Sequence, residues 1–394
     1  MNELEKFNGK RILIWGYGRE GKSTENFLKN HCHCESIEIF EGKREEIEEA
    51  RFDFIFKSPG IVMEEENPKY TSETELFLSL FKKQVIGITG TKGKSTTSAM
   101  MTHVLGCCLQ QPVLLMGNIG RPCLDYYDDM QEDTVVVFEL SCHQLAHGKV
   151  SPHIALFLNL FEEHLDYYGT VEKYFAAKKH ITAYQEEGDI LLIGEEVPAV
   201  STKAKKVVIT EEIQRHFPLQ ILGEHNQYNA KFVYTVAKDI FHCEEQAVVE
   251  SLESFTGLAH RLQFVGKKNG IDFYDDSIST IPEATIQAIE SIQNTQTVIV
   301  GGMDRNIDYS KLITYMREHQ QYHYLCCYAS GERIYKEVSD LTCCELLKDI
   351  KEAVQRAKEI TDAGKACVLS PAAASYGYFK NFEERGEYFQ TEIL

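Results

Sequence analysis

Short apolar runs, each closed by glycine or a polar turn and followed by a helical pattern, recur along the chain. Lys10 to Trp15 reads as a strand that breaks at Gly16 and passes into a helical pattern through Leu28. Strands are expected next at Ser36 to Phe40 and Phe54 to Phe56. A β-branched run from Val85 precedes a helix expected from Ser95 to Leu105. The rhythm continues with strands at Thr134 to Phe138, Ile154 to Leu158, Ile190 to Ile193 and Lys206 to Ile209. From about His260 a new series begins, at Gly270 to Tyr274, Thr297 to Val300, Tyr322 to Tyr328 and Ala366 to Leu369. Strands that alternate with helices form mainly parallel sheets between helical layers, so the expected class is α/β.

The run from Val85 ends in Gly-Thr-Lys-Gly-Lys-Ser-Thr-Thr, residues 90–97. Gly90 and Gly93 let backbone N–H groups curl around phosphate oxygens across Thr91 and Lys92. Lys94 adds a cation, the Ser95 hydroxyl can ligate Mg²⁺, and the helix through Thr96 presents its positive end. The longer GxxxxGK[ST] spacing would need glycine at 88, where the chain has Ile88, so this is the shorter GxxGK[ST]T loop. It points to ATP. A second glycine turn, Gly16-Tyr17-Gly18-Arg19-Glu20-Gly21, has the GxGxxG form in strand–turn–helix context. Glu41 follows at the spacing where a carboxylate meets a ribose hydroxyl, and Ser58-Pro59-Gly60 closes the third strand. This part reads as a nucleotide-type domain, with a redox cofactor and other nucleotides both open. Glu139 stands at the carboxyl end of its strand and His164 just beyond the next. Both are positioned to reach a metal held by nucleotide phosphates.

At 394 residues the chain exceeds one ordinary core. Three domains are expected: 1–83, Rossmann-like; 84–257, a mainly parallel phosphate-loop ATPase-type sheet; and 258–394, again Rossmann-like. A hydrophobic content of 43% with 26% charged residues describes a globular protein, and no apolar stretch has the length of a membrane span. The polar start MNELEKFNGK carries no signal-peptide pattern, so a cytoplasmic protein without a membrane partner is expected. A formal net charge of −19 argues against nucleic acid. The twelve cysteines include no CxxC, and His31-Cys32-His33-Cys34 suits one tetrahedral ion poorly, so reduced, mostly packed thiols are expected.

These pieces in order resemble the Mur ligase family over nearly the whole length. The resemblance rests on ITGTKGKSTT at 88–97, GNIGRP at 117–122, ELSCHQL at 139–145 and NLFEEHLDYYGTVEKYFAAKKHI at 159–181. It continues through GEHNQYNA at 223–230, GLAHRLQFV at 257–265, DDSIST at 275–280, GGMDR at 301–305 and SPAAASYGYFKNFEERG at 370–386. The resemblance implies an ATP-dependent amide-forming ligase that adds glutamate to UDP-N-acetylmuramoyl-L-alanine through an acyl phosphate, acting as a monomer in peptidoglycan precursor synthesis. By residue, it implies that Lys94 and Ser95 hold phosphates and Mg²⁺, and that Glu139 and His164 ligate magnesium. Lys178 matches a lysine that the family converts with CO₂ to a carbamate. Asn229, Arg261 and Asp276 match nucleotide contacts, while Asn118, Ser141 and Gln144 match binders of the muramoyl-alanine arm. Gly16 to Gly21 and Ser58 to Gly60 would cradle the UDP pyrophosphate, which favours UDP over a redox cofactor on the first domain. Thr280, Arg305, Ser375 and Phe382 match positions around glutamate.

The chain departs from the family at three places. Ile278 replaces the lysine of DSKAT, which removes a cation from an anionic pocket and leaves D- against L-glutamate open, with D-glutamate favoured by family frequency. Phe161 stands where threonine is common, and Cys142-His143 where Ser-Phe is frequent. A folate-glutamylating relative and a nucleotide-binding regulator without catalysis are the competing readings.

Overall fold

Val85–Thr89 is buried at every position, as a strand covered on both faces must be. The computed structural model describes residues 3–394 apart from 62, 64–66, 119–120, 162–167, 211, 213–214 and 222. The chain divides into two compact units, Met1–Pro218 with Glu224–Glu253, and Leu219–Gly223 with Ser254–Leu394.

The first unit holds two sheets. One comprises β1 (Arg11–Trp15), β2 (Ser36–Phe40), β3 (Phe54–Lys57) and β4 (Tyr70–Thr71), in the order β2-β1-β3-β4 with parallel pairings. The other comprises β5 (Val85–Thr89), β6 (Val113–Gly117), β7 (Val135–Glu139), β8 (Ile154–Phe157), β9 (Ile190–Gly194) and β10 (Lys205–Ile209). Its order is β10-β9-β8-β5-β7-β6, again parallel. Because β5 lies between β7 and β8, the loops leaving these three strands open side by side at the carboxyl edge. The helix Glu73–Phe81 links the sheets, capped by Ser72, which accepts from the Glu75 N–H at 3.1 Å. Its Phe77 meets Phe138 edge-on at 5.7 Å. One hydrophobic cluster accordingly contains Ile12 and Ile14 of β1 together with Val136 and Phe138 of β7.

The second unit is built on β11 (Gln263–Lys268), β12 (Ile271–Asp275), β13 (Thr295–Val300), β14 (His323–Cys327), β15 (Cys344–Leu347) and β16 (Ala366–Leu369). The order is β11-β12-β16-β13-β14-β15, parallel except for the β11–β12 pair. Side chains alternate faces along each strand. Val298, Val300, Tyr324, Cys326 and Val368 enter one core, while Ile299, Leu325, Cys327, Cys367 and Leu369 enter the other.

The α/β class and mainly parallel sheets agree with the hydrophobic rhythm. Four strands, β4, β6, β11 and β15, escaped it, and each lies at the edge of its sheet. β4 has only two residues, β15 is half-covered and β11 carries Lys267 and Lys268 on exposed positions, whereas β6 is an apolar run, Val113 to Met116, that was overlooked. Tyr328, expected to end β14, opens the helix Tyr328–Val338 at φ +62°. Eight of the twelve cysteines are buried, and no disulfide joins any of them. His31 ends a helix and packs its ring 4.6 Å from that of Tyr127, and no group of three metal-ligating side chains occurs among the described residues.

Glu73 is an unusual core group. It is 2% exposed, and its Oε1 accepts from the Leu124 N–H at 2.9 Å and the Ser23 hydroxyl at 3.1 Å. Burial pushes its carboxyl up from 4.5 to about 8. The folded state therefore binds more protons than the unfolded state between those values, so this group's contribution to stability falls as pH rises through that window. Glu73→Gln is expected to stabilise the protein at pH 8 by about 1–3 kcal/mol and to change little near pH 4.5. Urea unfolding at both pH values checks this, and equal effects at both would contradict it.

Candidate active site

The phosphate loop is fixed by its own backbone and by a neighbouring strand end. Gly93 precedes the helix Lys94–Cys108 at φ +82°, and a Cβ there would lie 2.7 Å from Asn229 Oδ1. Glycine is needed on both counts. Asn229 is buried on the helix Glu224–Thr235, where its Nδ2 donates to Asn226 at 3.3 Å. Lys94 Nζ donates to the Gly90 and Thr91 carbonyls at 3.0 and 2.9 Å. Lys178, 1% exposed on the helix Val171–Ala183, donates to the same Gly90 carbonyl at 2.7 Å and lies 4.7 Å from the Tyr174 ring centroid. Ser95 and Thr96 are half-buried in the helix's first turn.

Asn159, just past β8, holds the loop from outside. Its Oδ1 accepts from the N–H groups of Thr91 and Lys92 at 3.0 and 2.9 Å, and its Nδ2 donates to the Lys92 carbonyl at 3.1 Å. The sequence reading did not single it out. The available signal was a polar residue directly after a buried strand, on the edge that also carries the loop.

Glu139 ends β7 opposite Ile88 of β5 and is fully buried. Its Oε1 accepts from Asn118 Nδ2 at 2.9 Å, while Oε2 has no hydrogen-bond partner. A buried carboxylate oxygen without a partner is costly, and a cation beside phosphate oxygens removes that cost. The donor set thus fits a divalent ion. Of the other proposed ligands, Ser95 and Lys178 lie in the same unit, and His164 lies outside the described residues.

Ser141 and Gln144 form a capping box on the short helix Cys142–Leu145. Gln144 Oε1 accepts from the Ser141 N–H and hydroxyl at 3.1 and 3.0 Å, and Nε2 donates to Glu20 at 3.0 Å. In the first sheet, the Ser58 hydroxyl donates to the Gly16 carbonyl at 2.9 Å. A Cβ on Gly16 would lie 2.7 Å from Ser58 Oγ, and one on Gly21 would lie 2.2 Å from the Gly16 carbonyl oxygen. These two glycines are therefore needed for close approach, whereas Gly18 and Gly60 face open space. Gly18 and Arg19 are exposed, Pro59 is half-buried, and the Tyr17 hydroxyl bonds Glu25.

In the second unit, Asp276 follows β12 and is 3% exposed. It accepts from Ser370 at 2.8 Å, Ser279 at 2.5 Å and the Leu262 N–H at 3.2 Å, the last bringing it next to Arg261 in sequence. Burial pushes its carboxyl up to about 6. Thr280 after β12 and Arg305 after β13 are exposed, Ser375 after β16 is buried, and Phe382 is half-buried. All four leave the same sheet edge. Arg385, fully buried, gathers these loops through Ser277 Oγ at 2.9 Å, the Ser277 carbonyl at 2.6 Å and the Ala373 carbonyl at 3.0 Å. Burial lowers its guanidinium to about 10. His260 Nδ1–H donates to the Asp275 carboxylate at 2.7 Å beside Gly386, where a Cβ would lie 2.1 Å from the His260 ring.

The Mur ligase middle domain matches residues 88–210, and the Mur ligase glutamate ligase domain matches 260–373. A UDP-N-acetylmuramoylalanine–D-glutamate ligase of Streptococcus agalactiae is 32% identical over 99% of this chain and 98% of its own. The chain belongs to the Mur ligase family. An Aquifex aeolicus D-glutamate ligase is 31% identical over 97% of this chain and 98% of its own, and a Salinispora tropica L-glutamate ligase 29% over 99% and 98%. Among solved Mur ligases, MurF of Thermotoga maritima in complex with ADP has a TM-score of 0.59 at 15% identity, covering 98% of this chain and 96% of its own, a likeness of fold.

In this Mur ligase, Asn159→Ala would remove three side-chain hydrogen bonds from the loop and leave the Thr91 N–H its bond to the backbone carbonyl of residue 159 at 3.1 Å. ADP affinity is expected to fall about tenfold while the thermal midpoint changes little. Calorimetric titration with ADP reads the first; unchanged affinity would remove Asn159 from the loop's support.

Proposed function

We propose that this chain is an ATP-dependent ligase that joins glutamate to UDP-N-acetylmuramoyl-L-alanine in the cytoplasmic synthesis of peptidoglycan precursors, acting as a monomer. The observation that carries the reading is the buried, unpartnered Glu139 oxygen at the strand end next to a loop built on Gly90, Gly93 and Lys94, within a chain similar end to end to glutamate-adding relatives. In this reading residues 1–83 hold the UDP sugar, 84–257 hold ATP, and 258–394 hold glutamate. Asn229, Arg261 and Asp276 contact the nucleotide.

The substrate carboxylate attacks the γ-phosphorus of ATP, ADP leaves, and the amine of glutamate then displaces phosphate from the acyl phosphate. A carboxylate is a poor electrophile; phosphorylation gives its carbon a leaving group, and positioning with charge neutralisation lowers both barriers. Lys94 neutralises the transferring phosphoryl oxygens, and loop N–H groups orient them. Asn118, Ser141 and Gln144 hold the muramoyl-alanine arm, and Gly16 to Gly21 with Ser58 to Gly60 hold the pyrophosphate. Ser95, Glu139, His164 and a carbamate on Lys178 would hold Mg²⁺, which neutralises phosphate charge when bound. Arg305 meets a glutamate carboxylate, with Thr280, Ser375 and Phe382 around it. D-glutamate is the proposed acceptor, although relatives named for each enantiomer are of similar identity and Ile278 has removed a lysine from the pocket.

Phosphate release with ATP, Mg²⁺ and UDP-N-acetylmuramoyl-L-alanine should require glutamate, and D-glutamate should exceed L-glutamate by at least about tenfold, with the product confirmed by mass. Release with L-glutamate alone would reverse the stereochemical assignment; none with either would overturn the ligase reading. Lys94→Ala is expected to lower turnover by at least about 10³-fold. Lys178→Ala should lose activity and recover part of it with added acetate, whereas undiminished activity in that variant would remove Lys178 from the site.

A further inference from the structure

Glu20 lies inside the glycine turn of the first sheet, at the start of the helix Arg19–His31, yet its carboxylate reaches the second sheet's edge. Oε1 accepts from Gln144 Nε2 at 3.0 Å, and Gln144 Oε1 is already engaged by the Ser141 N–H and hydroxyl. Both ends of the Gln144 amide are thereby specified. A carboxylate can only accept, so the amide must turn its NH₂ toward Glu20 and its oxygen toward Ser141. Without Glu20 the capping box would keep the oxygen end and leave the NH₂ end unheld.

The surroundings keep Glu20 in place. Glu20, Thr24, Lys57, Ser58 and Glu73 line one small cavity. Lys57 is 8% exposed, and its ammonium donates to the Ser58 and Ile61 carbonyls at 3.1 and 2.7 Å. The second oxygens of Glu20 and Glu73 are buried without hydrogen-bond partners. Two neighbouring buried carboxyl groups favour a single charge. Burial raises the Glu20 carboxyl, opposed by the Gln144 amide and by Lys57, while burial pushes Glu73 up to about 8.

We propose that Glu20 is a positioning residue for the ligation, fixing the Gln144 amide from within the pyrophosphate turn so that the two ends of the UDP-N-acetylmuramoyl-L-alanine site form one rigid unit. This rests on the reading of Gln144 as a muramoyl-arm contact. Glu20 touches no reacting atom in it.

The test is a double-mutant cycle on the full chain with Glu20→Ala, Gln144→Ala and the pair, reading KM separately for the UDP substrate, ATP and glutamate. Glu20→Ala is expected to raise KM for the UDP substrate about tenfold and leave the other two within about twofold, and the pair should be no worse than Gln144→Ala alone. Glu20→Gln, which keeps an acceptor for Gln144, should restore the UDP-substrate KM to within about threefold of the parent and serves if the alanine variant fails to fold. Fully multiplicative effects in the pair, or equal rises in all three KM values, would overturn the proposal. If Gln144→Ala raises KM for the UDP substrate and neither Glu20 variant does, the positioning role alone falls. If Gln144→Ala leaves that KM unchanged, the arm assignment falls and the proposal falls with it.

Discussion

Two ammonium groups, those of Lys94 and Lys178, converge on the carbonyl oxygen of Gly90 at 3.0 and 2.7 Å. Like charges this close repel, more so where protein excludes water. Nearby, Glu139 Oε2 is buried without a hydrogen-bond partner, a cost that a cation beside it would relieve. Much of the first unit is arranged to maintain this juxtaposition. Asn159 fixes the loop from β8, Gly93 lets Asn229 approach, and the order β8-β5-β7 sets the three strand ends next to one another.

The second unit solves a related problem with a single buried cation. Arg385 binds carbonyl and hydroxyl oxygens from the loops after β12 and β16, and Gly302 after β13 passes so close that a Cβ would lie 2.9 Å from the guanidinium. These contacts hold Ser277 and Ala373, so the segments bearing Thr280, Arg305, Ser375 and Phe382 share one rigid edge. A guanidinium with several oxygen partners is a stiff support, and lysine at 385 could not reproduce the fork.

Much of this was legible before any coordinates. Buried parallel strands are unbroken apolar runs, so β1, β5, β7, β8, β13 and β16 stood out, and the glycines at 16, 21, 90 and 93 marked turns that do have close neighbours. Of the edge strands, β2 and β10 were expected, whereas β4, β11 and β15 did not stand out because half-covered backbone does not require apolar residues at every position, and β6 was missed despite its apolar run. Supporting polar residues were missed for a different reason. Asn159, Arg385 and Glu20 act through distant partners, and nothing in their local spacing names those partners. Glu139 was singled out because it ends a strand, where open α/β sheets bind ligands, and the structure sets that strand beside β5.

The central claim is that ATP activates the substrate carboxylate at this loop before glutamate attacks. UDP-N-acetylmuramoyl-L-alanine carrying ¹⁸O in both carboxyl oxygens tests it in one reaction, with the released phosphate analysed by mass. The account predicts that one ¹⁸O from each product-forming turnover appears in phosphate, since the carboxylate oxygen that attacked phosphorus leaves with it. Product formation with unlabelled phosphate would contradict it.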